Sequence, residues 1–146
     1  MKVDIKIDGQ YREPLAVIHT AEITEEVNAA VKKLSDTTPD IIMGFLDGSA
    51  QILEPSQIYR IYSENQKVLA VTDQGVYQLR LRLYQLEEKL AGLKFARISN
   101  AEIINLQKTE KFDLSLVGTI QVKLKNGQST YVSRRYVTKI KEILGL

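Results

Sequence analysis

Apolar and polar positions alternate at the start of the chain. Val3, Ile5 and Ile7 stand against Lys2, Asp4 and Lys6, and this period of two predicts a strand over residues 1–7. Asp8-Gly9 marks a turn, and Leu15–His19 predicts a second short strand. Thr24 stands where a helix N-cap belongs. Glu25 and Glu26 follow in the first turn, and Val27, Ala30, Val31 and Leu34 recur on one face. Thr37-Thr38-Pro39-Asp40 breaks that helix and is the best boundary in the chain. It divides a small α+β N-terminal extension, residues 1–39, from the remainder, residues 40–146.

Beyond the boundary the pattern becomes mainly β. Ile41–Leu46 and Ser49–Leu53 flank Asp47-Gly48, a two-residue hairpin signal. Ile58–Tyr62, Val68–Thr72 and Val76–Leu81 read as strands, and the polar stretch Ser63-Glu64-Asn65-Gln66 reads as a loop. Leu83, Leu86 and Leu90 at helical spacing predict a short amphipathic helix stopped near Gly92. Phe95–Ser99 leads into a buried run at Ile103, Ile104 and Leu106. Gly118–Leu124 alternates again, Asn126-Gly127 is the strongest hairpin turn in the sequence, and Ser129–Val132 is its return strand. Ser133 is placed to cap a last helix with Val137, Ile140 and Leu144 on one face and Gly145 just beyond.

Composition narrows the class. With 146 residues, 44% hydrophobic and 26% charged, the chain is long enough for one domain with a core and a small appendage, and it is not of disordered type. It has no cysteine, which excludes disulfides, thiol nucleophiles and Cys-ligated zinc and suits a reducing cytoplasm. No run approaches the ~18 apolar residues of a membrane span, and the charged, alternating start is not a signal peptide. The net charge of +2 is uninformative, but its distribution is not. Residues 1–39 hold 5 Lys/Arg against 7 Asp/Glu, a net of −2, whereas residues 108–146 hold 8 against 3, a net of +5. The C-terminal end is where phosphates would be met, although ordinary drift of surface charge gives the same count.

Catalytic chemistry has little to stand on. The sequence lacks GxxxxGK[ST], HExxH, GxSxG and GxGxxG. Its one histidine, His19, lies among apolar residues with no cysteine partner and reads as structural or surface. Glu102 and Glu110 are the acids nearest the basic segments and have no partners at metal-ligand spacing. The expectation is a chain that is not an enzyme and binds neither metal nor cofactor.

Two segments do carry chemistry: Arg97-Ile98-Ser99-Asn100-Ala101-Glu102-Ile103-Ile104-Asn105-Leu106 and Tyr131-Val132-Ser133-Arg134-Arg135-Tyr136-Val137. Asn pairs bidentately with adenine and Arg with guanine. Together with Ile58–Val68, Gly75–Arg80, the Leu83–Leu90 helix and the lysine-rich hairpin at Asn126-Gly127, their order over more than a hundred residues resembles the LytTR DNA-binding domain of bacterial response regulators. The resemblance implies an elongated stack of short antiparallel sheets with short helices. It also implies DNA binding through loops set in successive major grooves, not through a recognition helix. By position, Asn65, Gln66 and Lys67 match the first DNA-contacting loop. Asn100, after Arg97 and Ser99, matches the central loop, and Arg135, beside Arg134, matches the last. Some members carry His where this chain has Ser99.

On that reading Asn100, Arg135 and Gln66 contact bases. Asn65, Lys67, Arg97, Ser99, Lys123, Lys125, Ser133 and Arg134 contact phosphates or support the loops. Alternatives remain at two places. Asn100 also fits a turn residue bonding its own backbone, and Arg134-Arg135 also fits a basic first helical turn, although that opposes the helix dipole. Many relatives carry a receiver domain of ~100 residues before this part, whereas only 39 residues precede it here. The expectation is therefore a regulator without one, acting in the cytoplasm as a homodimer on promoter direct repeats, because one small module reads few base pairs. The resemblance further implies restraint, and sequestration at the membrane, by a small multi-pass membrane protein encoded nearby. Residues 1–39 are the candidate for dimerisation or for that partner. A β-rich protein-interaction module, docking an acidic partner on its basic end, is the competing reading.

Overall fold

The computed structural model describes residues 1–35 and 41–146. The break expected at Thr37-Thr38-Pro39-Asp40 lies outside the described residues. The chain divides into two compact units, residues 1–39 and 40–146.

In the first unit, helix α1 spans Glu25–Ser35. The Thr24 hydroxyl accepts the Val27 N–H at 3.3 Å, and the Thr24 carbonyl accepts the Asn28 N–H at 2.9 Å, as an N-cap should. The N-terminal ammonium donates to Glu26 at 2.7 Å and holds that carboxyl below its ordinary range. No described residue of this unit is buried. The strands expected over residues 1–7 and 15–19 do not form. Alternation specifies which side chains share a face, but a strand also needs a neighbour for its backbone, and none of the described residues of this unit supplies one.

The second unit is built from antiparallel sheet. Its elements are β1 (Ile42–Leu46), β2 (Ser49–Leu53), β3 (Arg60–Glu64), β4 (Lys67–Thr72), β5 (Gly75–Leu79), α2 (Leu83–Lys89), β6 (Phe95–Ser99), β7 (Glu102–Asn105), β8 (Thr109–Asp113), β9 (Ile120–Leu124), β10 (Ser129–Val132) and α3 (Arg134–Leu144). Seven strands form one sheet in the order β2-β1-β5-β4-β3-β7-β6, and three form another in the order β10-β9-β8. Two expectations shift. Ser63 and Glu64 belong to β3, where they pair with Val68 and Lys67, so the expected loop shrinks to a two-residue turn at Asn65-Gln66. Strand β8, Thr-Glu-Lys-Phe-Asp, has too little apolar alternation to be read from sequence and forms because β9 offers it an edge.

Two cores meet across the β6–β7 end of the large sheet. One gathers Ile42, Leu53, Ile58, Ile61, Ala70, Tyr77, Leu79, Ile103 and the α2 leucines Leu83, Leu86 and Leu90. The other gathers Ala96, Ile98 and Ile104 with Ile120, Val122, Leu124 and Val132 of the small sheet and Ile140 of α3. Adjacent Ile103 and Ile104 therefore enter different cores, which is why β7 is buried at all four residues. Asn105, 1% exposed, is satisfied by donating to the Ile58 carbonyl at 2.8 Å and accepting from the Gln107 N–H at 3.0 Å.

Gly44 sits in β1 where a Cβ would lie 2.7 Å from Leu53 Cδ1 and 2.9 Å from Tyr77 Cβ. Gly44→Ala should destabilise the unit by about 1–3 kcal/mol, because both neighbours belong to a packed core. Urea unfolding measures this. A variant as stable as wild type would show that β1 slides freely against β5.

Candidate nucleic-acid interface

Three segments converge at one end of β3, β7 and β6. The β3–β4 hairpin turns at Asn65-Gln66, with φ of 50° and 63°. Positive φ at both central residues suits a tight hairpin but is uncommon for Gln, so Gln66 occupies a strained position at the tip. Asn65, Gln66 and Lys67 are all exposed. Strand β7 lies beside β3 with Tyr62 opposite Glu102, and the Ser63 N–H donates to the Ala101 carbonyl at 2.8 Å. The β6–β7 turn, Asn100-Ala101, therefore sits next to the Asn65-Gln66 turn.

Arg97 holds that second turn. Its guanidinium donates to the Ser99 carbonyl at 2.8 Å, the Asn100 carbonyl at 2.6 Å and Glu87 of α2 at 2.8 Å. The Ser99 hydroxyl accepts the Ala101 N–H at 3.1 Å. A bulge between Arg97 and Ser99 bends β6 just before the turn. Asn100 is exposed, and its Oδ1 accepts the Tyr136 hydroxyl at 3.0 Å. An exposed Asn side chain carries an NH2 donor and a second Oδ1 lone pair beyond that bond, the donor and acceptor that an adenine edge requires.

Tyr136 lies in the first turn of α3, so the Asn100 bond also fixes where that helix begins. The Ser133 N–H donates to the Ile98 carbonyl at 2.9 Å. Ser133 stands at the N-cap by backbone geometry, yet its hydroxyl makes no cap hydrogen bond, contrary to the expected role. The first turn contains no acid and carries exposed Arg134 and Arg135. The uncapped N–H groups, the Ser133 hydroxyl and two guanidinium groups thus gather at one helix start, an arrangement suited to phosphate. Arg134 lies against the loop between β8 and β9, since a Cβ on Gly118 would be 3.3 Å from its Nε.

Lys123 and Lys125 are not brought into this cluster. Ile120 pairs with Val132 at the end of the β9–β10 hairpin next to α3, and Lys125 lies at the opposite, turn end. Lys123 faces Glu110 at 3.7 Å.

Sequence reasoning missed Arg60. Its Nε lies 2.8 Å from a Glu102 carboxylate oxygen in an ion pair, and its guanidinium stacks 4.2 Å from the Tyr62 ring centre. Glu102 also accepts the Thr130 hydroxyl at 2.7 Å, which links the small sheet to the large one directly behind the Asn100 turn. Burial raises the Glu102 carboxyl above its ordinary range, against the opposing pull of Thr130 and Arg60. No cluster of metal-ligating side chains occurs among the described residues.

Residues 49–145 match the family model of the LytTr DNA-binding domain. The chain belongs to the LytTR DNA-binding domain family. Its fold agrees with that of a solved LytTr domain of a Bacillus cereus protein, with a TM-score of 0.71 over 75% of this chain and 100% of that one at 16% identity. Over its full length the chain is 33% identical to proteins named as uncharacterized HTH-type transcriptional regulators. Those of Staphylococcus aureus strains MSSA476 and NCTC 8325 / PS 47 are each 99% covered. Their name refers to a helix-turn-helix, which this LytTR chain does not contain among its described residues, because five strands separate each helix from the next. The family is one of DNA-binding regulators and not of enzymes. Among the described residues no helix is long and apolar enough to cross a membrane.

Proposed function

We propose that this LytTR chain is a cytoplasmic, sequence-specific transcription regulator that reads successive major grooves with the Asn65-Gln66 turn, the Asn100 turn and the start of α3. The observation that carries the proposal is the convergence of these three segments on one sheet end, with the middle one pinned from both sides by Arg97 and Tyr136. In this reading Asn100 pairs with adenine, Arg135 with guanine, and Gln66 extends from its strained turn to a third base. Each good bidentate pair is worth ~1–3 kcal/mol of discrimination. Asn65, Lys67, Ser133 and Arg134 take phosphates, while Arg97 and Ser99 keep the central turn in shape. Lys123 and Lys125 extend the positive surface along β9.

One small module reads few base pairs, so two copies on paired direct repeats give useful specificity. Control by a membrane-bound partner is the input that the stand-alone branch of the family suggests. Unchanged target transcription in a strain lacking a neighbouring membrane-protein gene would count against it.

Fluorescence anisotropy with DNA from upstream of its own gene, against scrambled DNA and across a salt series, tests the base reading. Wild type should prefer the specific DNA, and a pool of random DNA replaces that promoter if it is not the target. Asn100→Ala and Arg135→Ala should each reduce that preference by about fivefold to a hundredfold while leaving weak, salt-sensitive binding. Failure of wild type to bind any DNA, the random pool included, would favour a protein-docking module.

A further inference from the structure

Residues 2–8 present an apolar edge that no described residue of the first unit covers. Val3 is 80% exposed, Ile5 82% and Ile7 99%. Among the described residues of this unit, nothing hydrogen-bonds to the backbone of residues 2–7. Helix α1 is alike in character: Val27, Ala30, Val31 and Leu34 recur on one side, and none is buried. The bond from the N-terminal ammonium to Glu26 ties the start of the segment to the start of the helix. An exposed, alternating, unpaired segment is a template for another chain. A two-stranded ribbon becomes stable when a helix packs on its apolar face.

The charges identify that chain. Antiparallel pairing of two copies about Ile5 places Ile5 opposite Ile5, Val3 opposite Ile7, Lys2 opposite Asp8 and Asp4 opposite Lys6. Every apolar side chain then falls on one face, and every charge on the other face meets its opposite, twice over by symmetry. Centring the pair on Asp4 sets Lys2 against Lys6 and Asp4 against itself. Centring it on Val3 pairs only Lys2 with Asp4 and leaves Lys6 unmatched. Moving the centre by one residue, which slips the register by two, therefore sets like charges opposite each other, and moving it by two leaves charges unmatched, so the register is specified. We infer that residues 2–8 are a self-pairing strand through which the first unit joins two copies of this chain, with the apolar side of α1 against the ribbon. This deepens the two-copy reading of the regulator and rests on it only for the use of the dimer.

The test is sedimentation velocity of the full chain without DNA, for wild type, Lys6→Asp and the double variant Asp4→Lys/Lys6→Asp. Lys6 is exposed, so the single variant retains the fold. Wild type should be dimeric at micromolar concentration. Lys6→Asp, which sets like charges opposite each other twice, should associate at least about tenfold more weakly, and the double variant should recover. A monomeric wild type, a Lys6→Asp variant that still dimerises, or a double variant that stays monomeric overturns the inference. Binding to DNA with a single site, measured in parallel, separates the two readings. A monomer that binds it overturns the dimer alone, and a dimer that binds no DNA overturns the DNA reading alone.

Discussion

Replacing Arg60 by alanine lowers the stability of the DNA-binding unit by about 3 kcal/mol at pH 7, at the low end of what breaking a buried pair costs. The side chains of Arg60 and Glu102 are 19% and 11% exposed, and Glu102 bridges the two sheets through Thr130. Without Arg60, an ionised carboxylate remains buried with one hydroxyl for company. The pH dependence has a definite sign. The folded-state value of Glu102 lies above its ordinary 4.5, so the folded form holds the proton more tightly than the unfolded form does. Its stabilising contribution is complete below 4.5 and is lost as pH rises through the raised value. Removing Arg60 takes away one of the groups that oppose the rise. The deficit of Arg60→Ala should therefore be smaller at pH 5 than at pH 7 in urea unfolding. Equal deficits at both would mean that the carboxylate finds water. Converting both residues to methionine should recover most of the loss, since apolar replacement of a buried pair is often neutral.

Arg97→Ala removes three hydrogen bonds of one guanidinium, whose side chain is 14% exposed. A loss of about 2 kcal/mol in stability is expected after discounting for the exposure of Glu87. Specific DNA affinity should fall at least about tenfold, because the two carbonyls that set the Asn100 turn lose their common donor. Non-specific, salt-sensitive binding should persist. Arg97→Lys should recover little, since an ammonium cannot span the three acceptors as a planar fork does. Unfolding and anisotropy on the same samples decide the matter. Lost stability with intact specific affinity would mean that the turn is not held in shape for DNA.

The patterns that were legible are local. Asp47-Gly48 and Asn126-Gly127 set two hairpins where turn chemistry alone demands them, and the spacing of Val137, Ile140 and Leu144 identified the buried face of α3. Asn100 and Arg135 stood out because few side chains read bases. The rest depended on partners distant in sequence. Nothing around Arg60 announces that Glu102 will lie beside it. Thr-Glu-Lys-Phe-Asp becomes a strand only because β9 is there to pair with it. Val3, Ile5 and Ile7 have the strand pattern and, among the described residues, no neighbouring strand.

The sequence by itself determined most elements of the second unit and their order, β8 excepted, and it offered the residue types able to contact DNA, because turn geometry and side-chain period act over a few residues. Only the tertiary structure decided that the Asn65-Gln66 turn, the Asn100 turn and the start of α3 gather at one end of the sheet, that Tyr136 bonds Asn100, and that Lys125 lies at the far end of its hairpin. Sheet order and register are set by burial against partners far along the chain, and no local pattern encodes which strand will be next to which.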